Sequence, residues 1–152
     1  PSVIFGYSKL RVLAWGVTPI AELPAEIERL RELECLMVQC NSLSVLPETL
    51  CGLTRLKGLI LLQNKLKELP KDIGNLEHLE HMTLYQNELA SLPASFENLK
   101  NLKKLNLAWN QFEELPSVIT GLPKLEWFGF FYNPVRGDLP RLNHINEVIL
   151  EK

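Results

Sequence analysis

The chain has 152 residues, 46% of them apolar and 22% charged, which is enough to bury one sizeable core and is not a disordered composition. Sixteen Lys and Arg stand against 18 Asp and Glu with no long block of either sign, which argues against a nucleic-acid tail or a polybasic membrane anchor. We therefore expect one soluble domain, with no nucleic-acid partner and no insertion into a membrane.

Targeting segments and cysteines bear on the compartment. No apolar run approaches the roughly 20 residues that span a bilayer, and the first residues, PSVIFGY, lack the parts of a signal peptide. Cys35, Cys40 and Cys51 are an odd set without C-x-x-C spacing, which argues against a disulfide framework and a zinc site. We expect a cytoplasmic protein without a metal or other cofactor. The alternative is a secreted bacterial effector whose signal was removed or is not recognised.

Two residue types recur along the chain in steps of 23. The prolines are Pro1, Pro24, Pro47, Pro70, Pro93 and Pro116, and the asparagines are Asn41, Asn64, Asn87, Asn110 and Asn133, with Thr18 at the asparagine position of the first unit. Between these markers, segments such as LEHMTLYQNEL at 79–89 take the form L-x-x-L-x-L-x-x-N-x-L. Six units in phase predict a repeat protein.

This pattern resembles the leucine-rich repeat family, and specifically its 23-residue class with the return segment L-P-x-x-I-x-x-L. Scribble-type polarity scaffolds, Ras-pathway scaffolds and many short bacterial proteins are similar. The resemblance covers residues 1–135 and implies an α/β solenoid, a curved horseshoe with a parallel sheet on its concave face. It also implies short helical or 3-10 return segments on the convex face, and a non-enzymatic interaction module.

The residues lead to the same architecture by themselves. In L-x-x-L-x-L the last two leucines are two apart and point to one face of a short strand, so a unit exposes an apolar face that only a neighbouring unit can cover. Apolar residues three and six positions after each proline are expected to close the core on the convex side. These are Ile4, Ile27, Leu50, Ile73, Phe96 and Ile119, followed by Tyr7, Leu30, Leu53, Leu76, Leu99 and Leu122. We expect the asparagines to form a structural ladder that pairs backbone groups of the adjacent turn.

The segment 127–132, WFGFFY, tests the register. Alignment with the other units places Phe128 and Phe130 in the core, and Trp127, Phe131 and Tyr132 on the concave face. Applied to every unit, the rule gives four concave columns. The first is Val12, Cys35, Gly58, His81, Lys104 and Trp127; the second Ala14, Met37, Ile60, Thr83, Asn106 and Gly129; the third Gly16, Gln39, Leu62, Tyr85, Ala108 and Phe131; the fourth Val17, Cys40, Gln63, Gln86, Trp109 and Tyr132.

The end of the chain breaks the spacing. Residues 145–150, INEVIL, reuse the L-x-x-L-x-L pattern only 20 residues after Leu125, which predicts a degenerate terminal unit or cap over 136–152 within a single domain of residues 1–152. An alternative position for this tail is over Phe131 and Tyr132. Pro1 stands one period before Pro24, as expected for a chain that starts at a unit boundary.

The concave columns favour a protein-binding surface, because they are almost free of charge and rich in the aromatic residues that dominate binding hot spots. The candidate partner-binding residues are Met37, Ile60, Leu62, His81, Tyr85, Trp109, Trp127, Phe131 and Tyr132. His81 is interpreted as an exposed histidine rather than a base or metal ligand. Cys35 and Cys40 lie about 16 Å apart along an extended strand, too far to bridge or to share a metal. Charge runs such as 28–32, ERLRE, are interpreted as solvated convex surface.

Other functions stay open at this point. No glycine-rich phosphate loop, G-x-S-x-G, H-E-x-x-H or pair of concave carboxylates supports catalysis. The chain is alternatively the recognition arm of a larger enzyme or effector, such as a GTPase, a kinase or a ubiquitin ligase. Sugar binding by stacking on Trp109, Trp127 and Tyr132 is a further alternative, and pairing of two concave faces in a homodimer is another.

Overall fold

A computed structural model of the chain describes residues 2–16, 20–40, 42–139 and 142–150. Seven parallel strands form one sheet in chain order, so each strand pairs only with its sequence neighbours. The strands are β1 (Val12–Gly16), β2 (Cys35–Gln39), β3 (Gly58–Ile60), β4 (His81–Thr83), β5 (Lys104–Asn106), β6 (Trp127–Gly129) and β7 (Glu147–Ile149).

Short 3-10 segments return the chain between strands, and no described residue is in an α-helix. Their bounds are Ser2–Gly6, Ala25–Arg29, Glu48–Gly52, Ile73–Asn75, Ala94–Asn98 and Ser117–Gly121. The predicted solenoid with a parallel sheet and 3-10 return segments is confirmed. No helix within the described ranges has the length and apolarity needed to cross a membrane.

The strand register reproduces the step of 23. In the β4–β5 pair, His81 lies opposite Lys104, and Met82 lies opposite Leu105. The core runs the length of the array between the sheet and the return segments, and its leucine columns are fully buried from Leu36 to Leu107 with few exceptions. Phe128 and Phe130 are also buried, as predicted, with ring centroids 5.5 Å apart.

The first unit differs from the prediction. Ile4 is only partly buried and Tyr7 is 60% exposed, whereas Phe5 is buried in the core. The inward position of this 3-10 turn therefore falls one residue later than the proline spacing indicated. Because successive residues of a 3-10 helix are about 120° apart, this change turns Tyr7 outward.

The asparagine column connects adjacent units through side-chain to backbone hydrogen bonds. The Nδ2 of Asn87 donates to the carbonyl oxygens of Leu61 and Leu84 at 2.9 and 3.1 Å, and its Oδ1 accepts from the Leu66 backbone N–H at 3.0 Å. Equivalent bonds are made by Asn64, Asn110 and Asn133. Asn41, and Thr18 at the corresponding position, lie outside the described residues. The column thus supplies buried backbone groups with partners where the chain leaves each strand.

The tail adds β7 to the sheet beside β6. Glu147 and Val148 lie opposite Trp127 and Phe128, and Leu142 and Ile145 are buried. Tyr132 stays 52% exposed. The role of this last unit as a cap stays a prediction.

Leu84→Ala is expected to destabilise the fold by about 2–5 kcal/mol, because Leu84 is fully buried and its truncation opens a cavity. Tyr85→Ala, one residue later on the other face of the sheet, should have a much smaller effect. Urea denaturation of both variants checks this pair. The assigned register is wrong if Tyr85→Ala proves the more destabilising change.

Asn87→Ala is expected to lower the free energy of unfolding by about 1–3 kcal/mol, because it leaves the buried Leu66 N–H without its acceptor and removes one of the two donors to each of the Leu61 and Leu84 carbonyls. Asn75→Ala, at an exposed asparagine, is the matched control and should be nearly neutral. Equal urea midpoints for the two variants would show that the ladder contributes little to stability.

Candidate functional site

The strand register brings the candidate residues together on one face of the sheet, which we call the concave face. Its first column runs from Val12 through Cys35, Gly58, His81 and Lys104 to Trp127 and ends at Glu147 of β7. The second column runs from Ala14 through Met37, Ile60, Thr83 and Asn106 to Gly129 and Ile149. Neighbouring side chains in one column come from adjacent units. They lie close together because parallel strands are about 4.8 Å apart.

Several apolar side chains lie on the N-terminal part of the face. Met37, Ile60 and Leu62 are half-buried. Cys35 packs over Gly58, where an added Cβ would lie 3.2 Å from the Cys35 Sγ. Burial raises the pKa of the Cys35 thiol, and burial is also the main reason that the pKa of Cys51 rises to about 11. Both thiols are therefore held in their neutral form. The third cysteine, Cys40, is exposed.

Backbone pairing continues beyond the short strands into the third and fourth columns. The Gln63 N–H donates to the Tyr85 carbonyl at 2.8 Å, and the Trp109 N–H donates to the Phe131 carbonyl at 3.0 Å. Ala108 of the third column, expected on the concave face, is fully buried. Tyr85 and Phe131 of the same column, which have large side chains, are half-buried.

The described residues of the fourth column share a left-handed backbone conformation. Their φ angles lie between 54° and 57°, and they are Cys40, Gln63, Gln86, Trp109 and Tyr132. Non-glycine residues adopt this region at a cost, so the repeated turn is held by the hydrogen bonds around it. Val17, the first member, lies outside the described residues.

Side chains of this column contact one another from unit to unit. The Cys40 Sγ lies 2.8 Å from the Gln63 Oε1, and the Gln63 Nε2 donates to the Gln86 Oε1 at 3.2 Å. The next two members are aromatic, and the Trp109 and Tyr132 rings are 4.6 Å apart. The column is polar at its N-terminal end and aromatic at its C-terminal end.

Trp109, Phe131 and Tyr132 form an apolar cluster on the concave face, which we call the aromatic patch. Trp109 is 46% exposed and Tyr132 is 52% exposed, while Phe131 is half-buried with its ring 5.5 Å from that of Tyr132. Aromatic rings held against each other lose little conformational freedom on binding, which is why such groups serve as interface anchors.

Beside the aromatic patch, strands β4 to β6 form a shallow depression of about 290 Å³ lined by His81, Thr83, Lys104, Asn106 and Trp127. The indole of Trp127 leans over Gly129, since a Cβ built on Gly129 would lie 2.6 Å from the ring. Glycine at this position therefore lets the indole form one wall of the depression. His81 and Lys104 are exposed, and the other three side chains are half-buried.

A charged column, which the sequence interpretation missed, runs along the edge where the strands begin. Its members alternate in sign at steps of 23: Arg11, Glu34, Lys57, Glu80, Lys103 and Glu126. Glu34 pairs with Arg11 at 2.7 Å and with Lys57 at 3.3 Å, and Glu80 pairs with Lys103 at 2.7 Å. The alternation is visible in the sequence only when the six units are aligned and read down a column.

These pairs change the acidity of their members. The hydrogen bond from Arg11 lowers the pKa of Glu34, and the hydrogen bond from Lys103 lowers the pKa of Glu80. In return, the Glu80 carboxylate raises the pKa of Lys103. Within the described part of the chain, no group of three or more His, Cys, Asp or Glu is placed to hold a metal ion.

The sequence matches a model of the leucine-rich repeat region over residues 4–86 and a second model of the leucine rich repeat over residues 101–122. The first match covers more than half of the chain, and the chain belongs to the leucine-rich repeat family. Domains of this family generally mediate interactions between proteins. A comparison with curated proteins gives no match.

Solved structures with the same fold include a bacterial protein, a plant receptor kinase and a type III effector domain. A leucine-rich repeat protein of Leptospira interrogans is similar with a TM-score of 0.89 and 33% identity, over 93% of this chain and 37% of that one. The Arabidopsis receptor kinase HAESA, in complex with the peptide hormone IDA and the co-receptor SERK1, is similar with a TM-score of 0.79 and 29% identity, over 96% and 26%. The leucine-rich repeat domain of the type III effector XopL has a TM-score of 0.71 at 23% identity, over 98% and 64%.

The chain thus spans less than two thirds of the length of each of these relatives.

The charged column predicts a dependence of stability on pH. A glutamate whose pKa is lowered by folding contributes stability above its ordinary value of 4.5, and this contribution is lost as the pH falls through the lowered value. The stability difference between wild type and Glu80→Gln should therefore be largest near neutral pH and shrink in acid. Urea midpoints across this range check the expectation, with Glu26→Gln, at an exposed glutamate outside the column, as control. A difference that does not change with pH would contradict it.

Proposed function

We propose that the chain is a non-enzymatic module that binds a protein partner through its concave face. The binding residues are Met37, Ile60, Leu62, His81, Tyr85, Trp109, Trp127, Phe131 and Tyr132. The observation that carries the proposal is the aromatic patch, where the tilted rings of Trp109 and Tyr132 lie 4.6 Å apart and stay about half exposed. Exposed rings of this kind on an open sheet are costly to hydrate and are typical of interaction sites.

The distribution of charge favours the same surface. The salt bridges lie at the strand edge and on the lateral loops, and among the concave columns Lys104 is the one formally charged member besides Glu147 at the end of the first column. Depletion of charge from a surface that keeps aromatic residues exposed is typical of the centre of a protein interface. An open sheet also excludes water poorly, so it favours recognition rather than catalysis.

The repeat class and the cellular compartment are also part of the proposal. The regular step of 23 residues and the L-P-x-x-I-x-x-L return segments favour the 23-residue class of leucine-rich repeats, of the scaffold type. Three free cysteines favour the cytoplasm. A second candidate is the recognition arm of a larger receptor, enzyme or effector, since the chain covers 37% of the Leptospira protein and 26% of HAESA.

The test is an affinity capture from a lysate of the native cells, read by mass spectrometry. The bait is the wild-type chain, and the comparison is the triple variant Tyr85→Ala, Trp109→Ala and Phe131→Ala after its fold has been verified by circular dichroism. Tyr7→Ala removes an equally large exposed ring outside the concave face and serves as the matched control.

A partner that is retained by wild type and by Tyr7→Ala but lost from the triple variant would support the proposal. Equal capture by all three baits would place the binding site on another surface and overturn it. Light scattering over a dilution series separates the remaining alternative, a homodimer through the concave face, because its mass would fall on dilution and also in the triple variant.

A further inference from the structure

We infer that the depression between β4 and β6 binds an acidic side chain of the partner, while the adjacent aromatic patch holds an apolar residue of the same segment. This inference rests on the proposed function, because it names the chemistry of the ligand for the concave face. It follows from the inventory of donors, acceptors and charges in the depression.

The cation of the depression is not neutralised within the described parts of the chain. Lys103 and Lys57, at the strand edge, pair with Glu80 and Glu34 at 2.7 and 3.3 Å. Lys104 is exposed and has neither an ion pair nor a side-chain hydrogen bond to any described residue. An ammonium group offers three donors and no acceptor, so its best partner is a carboxylate.

The side chain of Asn106 provides a second hydrogen-bond donor that favours a carboxylate ligand. The Oδ1 of Asn106 accepts the backbone N–H of Ala108 at 3.0 Å, which fixes the amide so that its other end is the Nδ2 group. This Nδ2 has no acceptor among the described residues, and the side chain is half-buried in the wall of the depression. Two donors that lie two residues apart on the same face of β5, one of them charged, match the two oxygens of one carboxylate.

Repulsive charges are few at this place. Glu80 and Glu126 lie on the strand edge, and the charge of Glu80 is offset by its salt bridge to Lys103 at 2.7 Å. Glu147 follows Trp127 in the first column, so it lies two strands, or about 10 Å, from Lys104. Trp127 lies between them in the first column, and its indole lines one side of the depression.

The aromatic patch makes the second half of the ligand apolar. Trp109 precedes Asn110 in the unit that contains Lys104, and Tyr132 holds the same position in the next unit. A chain that crosses the sheet from the first column to the fourth would therefore meet the depression and then the aromatic patch. The expected motif is an Asp or Glu followed within a few residues by a large apolar side chain.

The experiment is a selection of phage-displayed random short peptides on the full wild-type chain and, in parallel, on Lys104→Glu. A third selection uses Trp109→Ala with Phe131→Ala, and circular dichroism and urea midpoints verify that every bait is folded. Peptides from the wild-type selection should be enriched in Asp and Glu relative to the input library, and those from Lys104→Glu should be enriched in Lys and Arg. In a selected peptide, Glu→Gln should weaken binding to wild type by about five- to tenfold and to Lys104→Met by less than about twofold.

The outcomes separate the two levels of the proposal. Peptides that lose binding on the Trp109→Ala, Phe131→Ala bait but show no acidic enrichment would overturn the inference and leave the concave face as the binding surface. Peptides that bind every bait equally would overturn both, and so would the recovery of no specific peptide.

Discussion

The structure depends on the pairing of each repeat unit with its neighbours, because no unit can satisfy its own backbone or cover its own apolar face. A strand of three to five residues exposes polar edges on both sides, and its leucines point to a core that the next unit completes. The asparagine column adds a buried hydrogen-bonding group at the point where each strand ends, as Asn87 does between Leu61 and Leu66. Stability is therefore shared along the array rather than held in one place.

The same stacking turns a periodic sequence into continuous columns, and each column follows its own chemistry. Alternating charge produces a line of exposed ion pairs at the strand edge, each of which contributes little to stability in water. Glutamines at the left-handed turn bond to one another, as Gln63 does to Gln86. Where the column changes to Trp109 and Tyr132, the same backbone position presents two aromatic rings in contact instead. A surface with a distinct function thus needs only a change of side chain within a fixed scaffold.

In the C-terminal half of the sheet, neighbouring columns carry side chains of different chemical character. The depression around Lys104 lies on the first two columns, and the aromatic patch lies on the other two columns of the units that contain β5 and β6, so one extended segment can contact both. The absence of a side chain at Gly129 makes room for the indole of Trp127, which occupies the space where a Cβ would lie. Specificity on such an open surface comes from the combination of a few anchors rather than from enclosure.

The sequence by itself determined the repeat length, the parallel sheet, the side of each strand on which residues lie and the burial of Phe128 and Phe130. These features follow from spacings of two and 23 residues, which are local or strictly periodic. It did not determine the phase of the first return segment, where Phe5 rather than Ile4 fills the core, nor the full burial of Ala108. It also did not show the charged column as ion pairs, or the indole of Trp127 over Gly129. Those features depend on which side chains of neighbouring units meet in space, and only the stacked tertiary structure decides that.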